Sequence, residues 1–179
     1  MSLYRDHGID AKGLIVGAGE EEEPLRELIR ESALEDVVAI HPPMNRIDLA
    51  KEMRVSDIYL FASDSREGWG MVAVEAMSEA TLVVANAGGG ASVPLIRPGV
   101  NGFLYRNTAE LDAALLEAAN PEIRERLGDA GHKTIEEEWV ASVAALRLRA
   151  LIEAIMRDGD TKLFASGPCS HFEVLDERL

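Results

Sequence analysis

Short apolar runs alternate with helical periods along most of this chain, and that alternation restricts the fold more than any other feature. Gly13 to Val16, Val37 to Ile40, Asp57 to Ala62, Thr81 to Ala85 and Gly102 to Tyr105 read as strands. A helix opened by Glu20 to Glu23 and Pro24 follows the first strand, with Leu25, Leu28 and Ile29 on one face. Its acidic first turn suits the positive end of the helix dipole. Asp48 to Val55, Gly70 to Ala80 and a short stretch around Val93 to Ile96 read as further helices, and Ala109 to Ala119, Glu122 to Glu138 and Ser142 to Met156 complete the set. Strands separated by helix-length segments pair as parallel neighbours, because a tight hairpin cannot join them. The pattern predicts an α/β fold with a Rossmann-like, mainly parallel sheet flanked by helices.

Composition narrows the function. The chain has 179 residues, 47% of them apolar and 28% charged, which suits one folded domain. We place that domain at 1–157 and read 158–179 as a tail. The net charge of −14 lacks the basic footprint of a nucleic-acid or anionic-lipid binder. An anionic ligand must therefore be held locally, by backbone amides and a few arginines. Cys169 is the single cysteine and has no disulfide partner within the chain. No apolar run approaches the ~18 to 20 residues of a membrane span, and no secretory signal opens the sequence. The cytoplasm is the expected location.

Ligands of open α/β sheets bind beyond the carboxyl ends of the strands. Two loops stand there. Ser65-Arg66-Glu67-Gly68-Trp69-Gly70-Met71 joins a strand to a helix, and its glycines allow close backbone approach to an anion at the helix start. Asn86 to Ala91 carries Gly88, Gly89 and Gly90, a run of bare backbone. Glu75 lies in an otherwise apolar helix, eight positions after Glu67. Taken by spacing alone, Glu75, Ser78 and Glu79 also fit an ordinary solvated stripe.

The segment Glu67-Gly68-Trp69-Gly70-Met71-Val72-Ala73-Val74-Glu75-Ala76-Met77 resembles the E-x7-E signature of the family-4 (group 1) retaining glycosyltransferases. The similarity extends, in order, through Leu14 to Gly19, Ser56 to Leu60, Val83 to Ala85, Pro98 to Leu104 and Arg124 to Gly128. The resemblance implies one half of a GT-B fold, the donor-binding domain, whose partner domain binds the acceptor. It implies that Glu67, the catalytic position, accepts hydrogen bonds from donor sugar hydroxyls, and that Glu75 holds the ribose hydroxyls. Gly68, Trp69, Gly70 and Met71 would present amides to the sugar and diphosphate, Gly89 and Gly90 would line the same side, and Arg66 would be the adjacent cation. The donor is then a nucleotide-diphosphate sugar, with no metal and no other cofactor. Oriented amides and cations stabilise charge growing on a leaving diphosphate.

Two departures accompany the match. Ser92-Val93-Pro94 stands where the family carries an acidic donor contact. The family's opening strand, with its diphosphate-clamping arginine and lysine, has no counterpart here. The sheet is expected to lack that central strand, so its neighbours must pair directly or be bridged by another chain. On this reading the chain alone is inactive in transfer. The alternative is a non-catalytic nucleotide-sugar module, or a donor subunit that needs a partner chain. Weaker signals point elsewhere only faintly. Gly17-Ala18-Gly19 lacks the third glycine of a dinucleotide fingerprint and precedes four glutamates. Asp158-Gly159-Asp160 reads as a polar turn, His7, His41, His132 and His171 lack ligand spacing, and Arg147 and Arg149 read as a solvated helix face.

Overall fold

The computed structural model describes residues 2–159, 161 and 163–170. The chain divides into two compact units, Met1–Lys51 and Glu52–Leu179. In the first, α1 (Ser2–Asp6) precedes β1 (Gly13–Val16), α2 (Glu22–Glu31) and β2 (Val38–His41). β1 and β2 pair in parallel, from Gly13 opposite Val38 to Val16 opposite His41. Arg5 ties α1 to the end of α2 by donating to the carbonyl of Ala33 at 2.9 Å. The division between the units falls within α3 (Arg46–Val55).

In the second unit β3 (Ile58–Phe61), β4 (Leu82–Asn86) and β5 (Phe103–Tyr105) form a parallel sheet in the order β3-β4-β5. α4 (Met71–Ser78), α5 (Ser92–Leu95), α6 (Thr108–Ala118), α7 (Pro121–Glu138) and α8 (Ala141–Asp158) complete it. The described strands thus form two parallel sheets flanked by helices, in line with the α/β expectation. β1 pairs only with β2 and β3 only with β4, so neither takes the other as neighbour. Each edge carries apolar side chains in water, Leu14 and Ile15 on β1 and Leu60 on β3.

β4 is the centre of the second unit. Leu82, Val83, Val84 and Ala85 are all buried, so both faces of the strand are covered and its sequence is a continuous apolar run. Leu82 and Val84 join Phe103, Tyr105, Ala114, Ala118 and Leu127 in the core cluster. Burying a side chain such as Leu82 stabilises the fold by about 1.5–3 kcal/mol. The helices feeding this core begin on side-chain caps. Asn107 accepts from the Glu110 amide at 3.0 Å, and Asn120 accepts from the Glu122 amide at 2.9 Å just ahead of Pro121.

Past α8 the structure departs from one expectation. Arg149 is exposed, but Arg147 donates to the carbonyl of Ser166 and places its guanidinium over the Phe164 ring at 5.0 Å. It holds the following segment against the helix and is not part of a solvated face. α8 runs on to Asp158 and ends at Gly159, whose left-handed backbone returns its N–H to Ile155. Asp160 and His171 lie outside the described residues. Among those described, no helix is long and apolar enough to cross a membrane, and no group of His, Cys, Asp and Glu is placed to hold a metal ion.

Candidate active site

The site is built on the carboxyl ends of β3 and β4. Alternation along β3 puts Tyr59 and Phe61 on one face. Phe61 is buried at 2% exposure, and both glycine loops rest on its ring. A Cβ on Gly70 would lie 2.4 Å from Phe61 Cζ, and one on Gly89 would lie 2.5 Å from Phe61 Cε1. The loops also meet each other, since a Cβ on Gly90 would fall 1.9 Å from the Gly68 carbonyl oxygen. Only glycine permits these approaches. Gly70 further adopts a φ of 80°, the left-handed conformation that turns the chain from the loop into α4.

The loop residues 65–70 and 88–90 are therefore brought into one place. Gly68 is exposed, Gly70 and Gly89 are buried beneath the surface, and Met71 opens α4 with its side chain in solvent. Glu67 is exposed and accepts a hydrogen bond from the Gly70 amide at 3.2 Å, which folds its carboxylate back over the start of α4. Ala62, Ser63, Asp64, Arg66 and Glu67 line an open cleft of about 290 Å³ beside it.

Glu75 is half-buried on α4. Ser78 and Glu79, which complete the stripe that its spacing also allowed, are half-buried with it. Glu79 pairs with Arg54 at 2.6 Å, and the Ser78 hydroxyl donates to the carbonyl of Val74. Burial raises the Tyr59 hydroxyl above its ordinary pKa, and the negative charges of Glu75 and then Glu67 raise it further. Both carboxylates of the E-x7-E pair thus act on one phenol.

Arg66 is engaged within its own loop. Its guanidinium donates to both carboxylate oxygens of Asp64 at 2.8 to 3.1 Å, which lowers the Asp64 pKa. A ligand's diphosphate would have to compete with Asp64 for this cation. Trp69 packs on Trp139 with ring centroids 5.3 Å apart. At the position where an acidic donor contact was expected, Ser92 is fully buried and its hydroxyl has no partner.

Tyr59, Phe61 and Asp64 escaped the sequence reading. The first two had a signal, the period of two in Asp57 to Ala62 that places them together on one strand face. Asp64 had none, because a loop carboxylate two residues from an arginine is common on any surface.

This geometry stands beside three comparisons. Residues 2–134 match the sequence family described as "Glycosyl transferases group 1". Among curated proteins, the D-inositol 3-phosphate glycosyltransferase of Streptomyces griseus is 40% identical over 111 residues, which cover 60% of this chain and 23% of that protein. The enzyme of the same name from Pseudarthrobacter chlorophenolicus is 32% identical over 155 residues, 83% of this chain and 36% of its own length. The match therefore spans well under half of these relatives. Among solved structures, a glycosyltransferase from Rickettsia africae superposes with a TM-score of 0.70 at 20% identity, over 88% of this chain and 43% of that one. Anabaena Alr3699/HepE in complex with UDP superposes at 0.66 and 24% identity, over 80% of this chain and 41% of that one. These likenesses fix the fold as one half of a GT-B architecture. With the family match extending through β1, both glycine loops and most of α7, the chain belongs to the group 1 glycosyl transferases.

Proposed function

We propose that this chain binds a nucleotide-diphosphate sugar on the β3 and β4 loops and serves as the donor half of a retaining glycosyltransferase. What supports the reading above all is the meeting of the two glycine loops over Phe61, with Glu67 and Glu75 both acting on Tyr59. In this assignment the amides of Gly68 to Met71, together with Gly89 and Gly90, face the diphosphate and the sugar. Glu75 accepts from the ribose hydroxyls, which suits an acceptor-only carboxylate. Glu67 turns from Gly70 to the sugar hydroxyls. As the glycosidic bond to the diphosphate breaks, the oriented amides stabilise the charge that develops on the leaving oxygen. The acceptor, on this reading, is held by an acceptor-binding domain or a partner chain, and transfer requires both surfaces.

Thermal unfolding with UDP, GDP and ADP tests donor binding. At a nucleotide concentration of about a hundred times Kd, the cognate ligand should stabilise the chain by about 2.7 kcal/mol, raising Tm by roughly 5 to 10 °C. Glu75→Ala should weaken that ligand by about tenfold to a hundredfold, the size of lost hydrogen bonds to a charged group. No Tm rise with any of the three at millimolar concentration would count against the assignment. The reading as a non-catalytic binding module parts from it in one assay. Transfer that appears when the acceptor-binding portion is supplied supports the enzyme, and binding without transfer supports the module.

A further inference from the structure

α7 lies antiparallel to α4, and its contacts step along the two helices in opposite directions. Gly128 abuts the Ala80 carbonyl so closely that a Cβ there would lie 2.2 Å from the oxygen. One turn on, Gly131 meets the Met77 side chain, and His132 Nδ1 sits 2.7 Å from the carbonyl of Ser78. Because α4 is followed backwards, the end of α7 arrives where α4 begins. There Trp139, the residue that caps α7, meets Trp69 of the 65–70 loop, with ring planes inclined by 45°.

The last turn of α7 is fixed from its other side. Asn101, buried at 1% exposure, donates to the Thr134 hydroxyl at 3.0 Å and to the Leu95 carbonyl at 3.0 Å, and accepts from the Arg97 amide at 2.6 Å. Arg97 donates to Thr134 at 2.9 Å and pairs with Glu138 at 3.0 Å. Trp139 therefore follows directly on a turn held by a polar network centred on buried Asn101 and Thr134, whereas Trp69 lies in the exposed stretch of its loop. The indole N–H of Trp139 is buried without a hydrogen-bond partner. An unpaired buried donor is a cost.

We propose that Trp139 is a positioning residue. By packing on Trp69 it holds the 65–70 loop, and with it the Gly68 to Met71 amides, in the arrangement that receives a nucleoside diphosphate. The inference rests on the donor-binding reading of that loop, but the ordering of the loop by Trp139 is separable from it.

Hydrogen exchange of residues 68–71 in the ligand-free chain, together with calorimetric titration of UDP, tests the proposal on Trp139→Phe and Trp139→Leu. Trp139→Phe keeps an aromatic face and removes the unpaired donor, so loop exchange and UDP affinity should stay within about twofold of the parent. Trp139→Leu should accelerate exchange at 68–71 and weaken UDP by about three- to tenfold, the scale an aromatic pair supports. β4 and the first turns of α7 should keep their protection. Trp69→Leu should loosen the same amides, and combining it with Trp139→Leu should add little further, as for two halves of one contact. Parental exchange and affinity in Trp139→Leu would overturn the proposal. So would a loss of protection spread evenly through β4 and α7, which is the mark of a general packing role. If the loop loosens as described but the parent chain binds none of UDP, GDP and ADP, the donor reading fails and the positioning role stands.

Discussion

At the scale of single residues, the pivotal feature is a tyrosine that was not a candidate. Tyr59 is held un-ionised by burial first, by Glu75 second and by Glu67 third. Its raised pKa contributes stability that is fully present below the unfolded tyrosine value and is lost as pH rises through the folded one. Removing a neighbouring charge should move that titration down. Glu75→Gln should lower the Tyr59 ionisation point more than Glu67→Gln, and neither should restore the ordinary value, because burial remains. Phenolate absorbance, assigned with Tyr59→Phe, reads this directly, and Tyr105, raised by burial alone, serves as an internal reference. An unmoved Tyr59 in both variants would mean that the two carboxylates do not converge. The same scale explains Arg66, whose charge reaches a ligand only in competition with Asp64.

At the scale of elements, the site depends on two loops that touch through bare backbone. Gly90→Ala should force the Gly68 carbonyl and the 88–90 loop apart, since both sides of the clash are main chain. Overpacking of this kind costs about 1–3 kcal/mol, to be measured by denaturant unfolding, with UDP affinity falling alongside. Gly68→Ala has open space within 4 Å and should leave stability nearly unchanged. Equal losses from the two substitutions would show that the loops do not meet. The strand and helix order was legible in the sequence because period and capping are local. α6 and α7 start within a residue of the expected Ala109 and Glu122, and Leu82 to Ala85 of the run Thr81 to Ala85 form the expected strand, buried on both faces. Ends moved by a residue or two, as for α8, where Gly159 supplies the stop. The pairing of strands was less legible. β1 and β3 belong to different sheets, and hydrophobic pattern does not encode a strand's neighbour.

At the scale of the whole molecule, the charge of −14 opposes the approach of any nucleoside diphosphate. Long-range repulsion is screened by salt over about 8–10 Å at physiological ionic strength, while contacts inside the loops are screened much less. The association rate of UDP should therefore rise with added salt, opposite to an electrostatically steered pair, and stopped-flow measurement across ionic strengths checks it. A rate that falls with salt would indicate a local positive field outweighing the global one.

The sequence alone determined the α/β class, the order of elements and the pair of carboxylates worth weighing. Each of these is written in local period, turn chemistry or a compact motif. Only the tertiary structure decided that Phe61 supports both glycine loops, that Tyr59 lies under the influence of both glutamates, and that Trp139 closes on Trp69 from seventy positions away. Those contacts arise from the antiparallel course of α7 along α4 and from the crossover that sets β4 beside β3. Distances between residues so far apart in the chain are set by packing, which no short stretch of sequence carries.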